Sequence, residues 1–137
     1  IAVPLGATVL AGAIDAIAWN DDGALIVDYK TGTAPLSEVE AAERYRLQGE
    51  CYALAAFAVG AASVRVVFAE LERGRETAYE YGQSDRERIE TDVRAIVRRM
   101  ADEGYPPRET YERELCETCP GLGGMCPVTR PSDGGAG

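Results

Sequence analysis

Gly12-Ala13-Ile14-Asp15, then twelve residues, then Asp28-Tyr29-Lys30-Thr31-Gly32 is the stretch on which the reading of this chain turns. Between the two halves lies Asn20-Asp21-Asp22-Gly23, a hairpin signal, because an Asp-Gly step tolerates the positive φ angles of tight turns. Residues 8–19 are small and apolar apart from Asp15, and they read as one strand. Residues 24–30 read as a second strand, apolar on both faces until Asp28 and therefore central in its sheet. Side chains alternate along a strand, so Asp28 and Lys30 share a face while Tyr29 points away. Two registers stay open. With Asp21-Asp22 as the loop, Asp15 pairs with Asp28; with Asp22-Gly23, it sits opposite Lys30. Either places all three side chains on one face, within reach of a common ion. A three-residue loop would break the arrangement, since one step of slip turns every side chain over.

Two carboxylates converging beside an ammonium group suit metal-assisted phosphodiester hydrolysis. Hard oxygen ligands hold Mg²⁺, which keeps several waters and clamps a phosphate oxygen. The lysine then orients the attacking water or offsets charge on phosphorus. Lys30 is the only lysine in a chain with 14 basic residues, so arginine serves everywhere else. A compact ammonium head beside a scissile phosphate is not interchangeable with a guanidinium fork. The plainer alternative is a surface hairpin whose aspartates are solvated and whose Lys30 pairs with Asp28.

Bulk properties bound the rest. At 137 residues and 46% hydrophobic, the chain fits one compact domain. No apolar run approaches the ~20 residues that span a bilayer, and no secretory signal precedes the domain, which implies a cytoplasmic protein with no membrane partner. A start at Ile1 rather than Met suggests a segment of something larger. The net charge of -9, from 23 acidic and 14 basic residues, makes a poor stand-alone ligand for a polyanion. If nucleic acid is the substrate, other domains are expected to hold it. The absence of histidine excludes Ser-His and Cys-His nucleophile pairs and any His zinc ligand.

Ser37 with Glu40 makes a capping box that opens a long helix to about Gly60. Residues 63–72 and 76–81 look like a hairpin turning at Arg73-Gly74. Ser84 with Glu87 is a second capping box, starting an amphipathic helix that ends near Gly104, closed by Pro106 and Pro107. Ile89, Val93, Ile96, Val97 and Met100 form its core-facing stripe. Arg94, Arg98 and Arg99 lie on a solvated charged face. The order strand, strand, helix, strand, strand, helix specifies an α/β (α+β) domain with a central mixed β-sheet flanked by helices.

The G-x-I-D segment followed by a hairpin into D-Y-K-T-G resembles the motif core of the PD-(D/E)XK nuclease superfamily, specifically its RecB and AddAB branch. That branch carries Q-x-x-x-Y on the next helix, and Gln48-Gly49-Glu50-Cys51-Tyr52 stands at the matching place. Gln48 and Tyr52 are four apart, hence on one helix face; by periodicity alone Tyr52 fits a core aromatic equally well. The resemblance implies a restriction-endonuclease-like core and a Mg²⁺- or Mn²⁺-dependent DNA exonuclease acting on single-stranded ends beside a helicase domain or subunit. It implies that Asp15 and Asp28 ligate the metal together with the Tyr29 carbonyl, and that Lys30 is the catalytic lysine. Gln48 and Tyr52 would complete the site by contacting DNA or bracing it. The family usually adds an upstream helix whose His or Glu completes the metal site. No counterpart of it is present, so weak metal affinity and weak or absent cleavage are expected. A catalytically inactive nuclease-like scaffold is the alternative.

Cys116, Cys119 and Cys126 lie in a Gly- and Pro-rich segment. Thiolates at C-x-x-C spacing can share one metal centre, for which four ligands are normal. By the same resemblance the trio looks like the C-terminal part of a [4Fe-4S] site whose fourth ligand lies elsewhere; Cys51, mid-helix, reads as a buried structural thiol. A cysteine-organised metal-binding interaction module is the rival from another class. The expected organisation is a nuclease core over residues 1–115 lacking its upstream helix, a cysteine-containing loop over 116–127 and a disordered tail over 128–137.

Overall fold

The computed structural model describes residues 1–31 and 36–103, together with 110, 111, 116, 117, 119, 121, 126 and 128. The expected loop after Thr31, the stop at Pro106 and Pro107 and the tail beyond Val128 lie outside the described residues. Two compact units, 1–97 and 98–137, divide the chain.

Six strands and two long helices build the fold: β1 (Ala2–Leu5), β2 (Thr8–Ala11), β3 (Ala16–Trp19), β4 (Gly23–Lys30), α1 (Glu38–Ala58), β5 (Ser63–Glu70), β6 (Arg75–Gly82) and α2 (Arg86–Glu103). The single strand expected over 8–19 is in fact two. β2 pairs with β1 in a separate hairpin, and β3 pairs with β4 in the main sheet. Gly12-Ala13-Ile14-Asp15 separates them, and the hydrophobicity of the flanking segments carries no sign of the break, because both are apolar. The main sheet runs β3-β4-β5-β6 with only the β4–β5 pair parallel. A parallel pair needs a long crossover, and α1 supplies it. β4 is central, as expected, although Leu25 and Tyr29 on its second face remain 39% and 49% exposed.

The β3–β4 turn closes by a different device from the one anticipated. Among the described residues no non-glycine has positive φ, and Gly23 is not in that region. Instead the Asn20 side chain accepts hydrogen bonds from the Asp22 and Gly23 amides at 3.3 and 2.6 Å. Asp21-Asp22 form the loop, with the Asn20 amide donating to the Gly23 carbonyl at 3.0 Å. This settles the register, Ala16 opposite Val27.

α1 begins at the expected capping box, with the Ser37 side chain and the Glu40 side chain each satisfying the other's backbone amide. Its end is a Schellman arrangement: Gly60, at φ 103°, donates to the Phe57 carbonyl, and Ala61 donates to that of Ala56. Gly49 lets the helix close onto the sheet, since a Cβ there would stand 3.1 Å from the Tyr81 hydroxyl and 3.5 Å from the Phe68 ring. α2 is entered through a 3₁₀ turn (Gln83–Asp85), and Asp85 accepts from the Gly82 amide at 2.9 Å. This bond caps the 3₁₀ turn, and among the described residues the expected Ser84–Glu87 pair makes no side-chain hydrogen bond.

The core of unit 1 gathers Ile26, Val64, Val66 and Phe68 from the sheet, Ala53 and Phe57 from α1, and Val3 and Leu5 from β1. Ile89 and Val93 of α2 join it, and Val97 packs partly against it, so the expected stripe is buried along this part of its length. In unit 2, the Cys119 amide donates to the Cys116 carbonyl, and that of Cys126 to Gly121.

Candidate active site

Parallel β4 and β5 end side by side, and the carboxyl ends of such strands are where open α/β sheets place their chemistry. Asp28 lies near the end of β4, next to Phe68 of β5 in register. Its carboxylate is 5% exposed, and burying a charge there is tolerable only if every lone pair is answered. Lys30 Nζ donates to Asp28 Oδ1 at 2.7 Å. Gln48 Nε2 and the Tyr52 hydroxyl both donate to Oδ2, at 2.9 and 2.7 Å.

Gln48 binds the group together. Its Oε1 accepts from Lys30 Nζ at 2.9 Å, and its amide nitrogen also donates to the Tyr52 hydroxyl at 2.7 Å. Each of its polar atoms is thus used in one sense only, which sets the amide orientation. Asp28, Lys30, Gln48 and Tyr52 form a closed ring of hydrogen bonds over an aromatic floor. Phe68 is fully buried, with Tyr45 stacked on it at 4.9 Å and Tyr52 at 6.3 Å between centroids. Lys30 Nζ stands 5.3 and 5.2 Å from the Tyr45 and Phe68 rings, in reach of their π-faces. Tyr52 resolves the two sequence readings by being both: its ring is core, and its hydroxyl belongs to the polar ring.

Asp15 precedes β3, and extending the Ala16–Val27 register sets it opposite Asp28. Its exposed carboxylate accepts from the Tyr29 amide at 2.9 Å, which holds it beside the end of β4. The Tyr52 phenol is pushed up to about 12, by burial first and then by its bond to Asp28, with smaller contributions from the Asp28 and Asp15 charges. Directly opposed residues of an antiparallel pair share a face, so the register sets Asp15 on the face of Asp28 and Lys30.

The donors fit a hard divalent cation. Mg²⁺ is commonly held by one or two carboxylates, with waters and substrate phosphate completing its shell, and Asp15 retains one carboxylate oxygen with no hydrogen bond among the described residues. Among those residues no group of three Cys, Asp or Glu side chains converges to hold a metal. The cysteines do not assemble such a group either: Cys116 is buried, Cys119 exposed and Cys126 half-buried, and none is in a disulfide. Cys51 is half-buried, and burial, with the neighbouring Glu50 charge, raises its thiol pKa.

Two buried glutamates and their arginine partners went unnoticed in the sequence. Glu70, at the end of β5, is held by Arg75 through two contacts of 2.8 Å. Glu50 is 2% exposed and receives Arg46 and Arg88, which ties α1 to α2. Arg46 and Glu50 are four apart on α1, and that spacing was a legible signal. The partners of Glu70 and Arg88 depend on the strand register and helix packing. Arg94, by contrast, is occupied by Glu90 at 2.6 Å.

The mixed four-stranded sheet, its crossover helix and the acid–lysine pair at the strand end define a restriction-endonuclease-like domain. Over residues 2–126 the sequence matches the PD-(D/E)XK nuclease superfamily, and the chain belongs to that superfamily. A solved structure described as "Crystal structure of SSO0001" is similar at 20% identity, with a TM-score of 0.44. The match covers 87% of this chain and spans about half, 52%, of that one. Comparison with curated proteins found no match. Among the described residues no helix is long and apolar enough to cross a membrane.

Proposed function

We propose that the chain is a Mg²⁺- or Mn²⁺-dependent deoxyribonuclease module, working as an exonuclease on single-stranded ends within a RecB-like helicase-nuclease. The observation that carries this reading is the Asp28–Lys30 contact of 2.7 Å, held by Gln48 and Tyr52 with Asp15 beside it. Asp15, Asp28 and the Tyr29 carbonyl would hold the cation. When bound, it supplies Lewis-acid polarisation of a phosphate oxygen and an activated water.

The protein's own groups divide the remaining work. Lys30 uses two donors on Asp28 and Gln48 and keeps a third proton for a phosphate oxygen or the attacking water. Gln48 keeps the ammonium from swinging away, and Tyr52 holds Asp28 Oδ2 from below. The aromatic floor excludes water, which strengthens each of these contacts. A net charge of -9 supports the view that a helicase partner, and not this domain, grips most of the DNA. An iron–sulfur site on Cys116, Cys119 and Cys126 completes the proposal for the whole protein and rests on the resemblance of their spacing to that of RecB-like nucleases.

The test is cleavage of end-labelled single-stranded DNA in Mn²⁺ by a longer protein that includes the upstream metal-completing helix, as wild type, Asp28→Ala and Lys30→Ala. Loss of at least ~100-fold in both variants is expected, in line with removal of one transition-state-stabilising group. Equal rates in all three would remove the reading.

A further inference from the structure

Beside the acid–lysine ring lies a cleft of about 430 Å³, lined by Lys30, Leu36, Arg44, Tyr45, Gln48 and Glu70 among others. That volume falls within the ~300–1,000 Å³ of ordinary ligand sites. The cleft opens at the carboxyl ends of β4 and β5 against the first half of α1. Its charges do not cancel. Glu70 is neutralised by Arg75 through two contacts of 2.8 Å, and Lys30 by Asp28 at 2.7 Å. Arg44 is exposed and, among the described residues, has no carboxylate partner. It stands four residues before Gln48, so both project from the same face of α1, about one helical turn (~5.4 Å) apart. Arg44 is thus an unneutralised guanidinium one turn from Gln48, the residue that bonds the candidate catalytic lysine at 2.9 Å. Tyr45 and Leu36 give the cleft apolar walls, the tyrosine made rigid by its stack on Phe68.

We infer that this cleft is the subsite for the nucleotide next to the cut, Arg44 binding its phosphate and Tyr45 with Leu36 flanking its sugar and base. The inference rests on the nuclease reading for its orientation, since the scissile phosphate is taken to lie at Lys30. A guanidinium matches phosphate geometry with two parallel donors. A rigid aromatic wall accepts any base, because every base has a π-face. The subsite is therefore sequence-tolerant: it sets where the strand lies and leaves its sequence unread. Arg44 and Tyr45 are positioning residues.

The decisive measurement is binding of a labelled single-stranded oligonucleotide in Ca²⁺ across a range of salt, paired with Mn²⁺ cleavage kinetics. Proteins compared are the wild type, Arg44→Ala, Arg44→Lys and Arg86→Ala. Arg86 follows Gly82, which pairs with Ser63 at the opposite end of β5 from Glu70, so it controls for loss of one surface charge. Arg44→Ala should weaken binding about five- to tenfold and lower the slope of log affinity against log salt by ~0.7, one phosphate contact on a single strand. It should raise KM by the same factor and leave kcat within about twofold, with Arg44→Lys restoring most of the slope. The inference is overturned if Arg44→Ala moves affinity and slope no more than Arg86→Ala, if it lowers kcat alone, or if the wild type binds no DNA. A wild type that binds without cleaving, even when the upstream metal-completing helix is supplied, sinks the nuclease reading, and the salt slopes still decide the cleft.

Discussion

Tyr52→Phe removes one oxygen from the centre of the polar ring and leaves the ring's packing in place. The lost hydroxyl donates to Asp28 Oδ2 at 2.7 Å and accepts from Gln48 Nε2 at 2.7 Å. Hydrogen bonds to charged groups contribute roughly 1.5–3 kcal/mol. The low end applies, because Asp28 Oδ2 keeps the Gln48 donor at 2.9 Å and Gln48, only half-buried, can turn its freed N–H to water. The stack of ring 52 on Phe68 survives. The expected loss is about 1.5–2 kcal/mol, which for a domain of this length lowers Tm by roughly 5–7 °C. Calorimetry on the wild type, Tyr52→Phe, Asp28→Asn and the double variant measures the part due to the carboxylate. With a neutral partner at position 28 the hydroxyl should be worth about 1 kcal/mol less, and that difference is the coupling energy of the cycle. A Tm for Tyr52→Phe within about 1 °C of wild type, or an undiminished cost beside Asp28→Asn, would refute the claim that Tyr52 holds a buried carboxylate.

Two further outcomes follow from the same packing. The Tyr52 phenol is pushed up to about 12, so its contribution to stability is whole below the unfolded value near ~10 and is lost as pH rises through the folded one. Burial raises Tyr79 and Tyr81 as well, so the late phase of tyrosinate absorbance should lose one group's amplitude in Tyr52→Phe and keep the rest; an unchanged late phase contradicts it. Gly49→Ala should gain ~1 kcal/mol of helix propensity and lose more to crowding of Tyr81, Tyr79 and Phe68. The expected net loss is about 1 kcal/mol by chemical denaturation, and a stabilised variant would mean that the helix does not close on the sheet at Gly49.

Local chemistry was legible wherever a few neighbouring residues decide it. Ser37 with Glu40 marked the start of α1, Gly60 its end, and Arg73-Gly74 the turn between β5 and β6, because caps and turns are satisfied within a handful of residues. The break between β2 and β3 was not, since two apolar strands in different sheets look like one until their pairing partners are known. The β3–β4 turn was placed correctly for an incomplete reason: its location is local, but the Asn20 side chain and not a left-handed Asp-Gly holds it.

What the sequence determined alone was an inventory with spacing: two aspartates, one lysine, and a glutamine and tyrosine four apart on a helix. Alternation along β4 and periodicity along α1 assign those groups to faces. They cannot say which faces meet. Only the parallel pairing of β4 with β5 across α1 brings Gln48 between Lys30 and Tyr52, sets Glu70 beside Lys30 for Arg75 to neutralise, and leaves Arg44 open over the cleft. A side chain's partners depend on residues dozens of positions away, and whether its charge is answered or left free is settled where the elements pack.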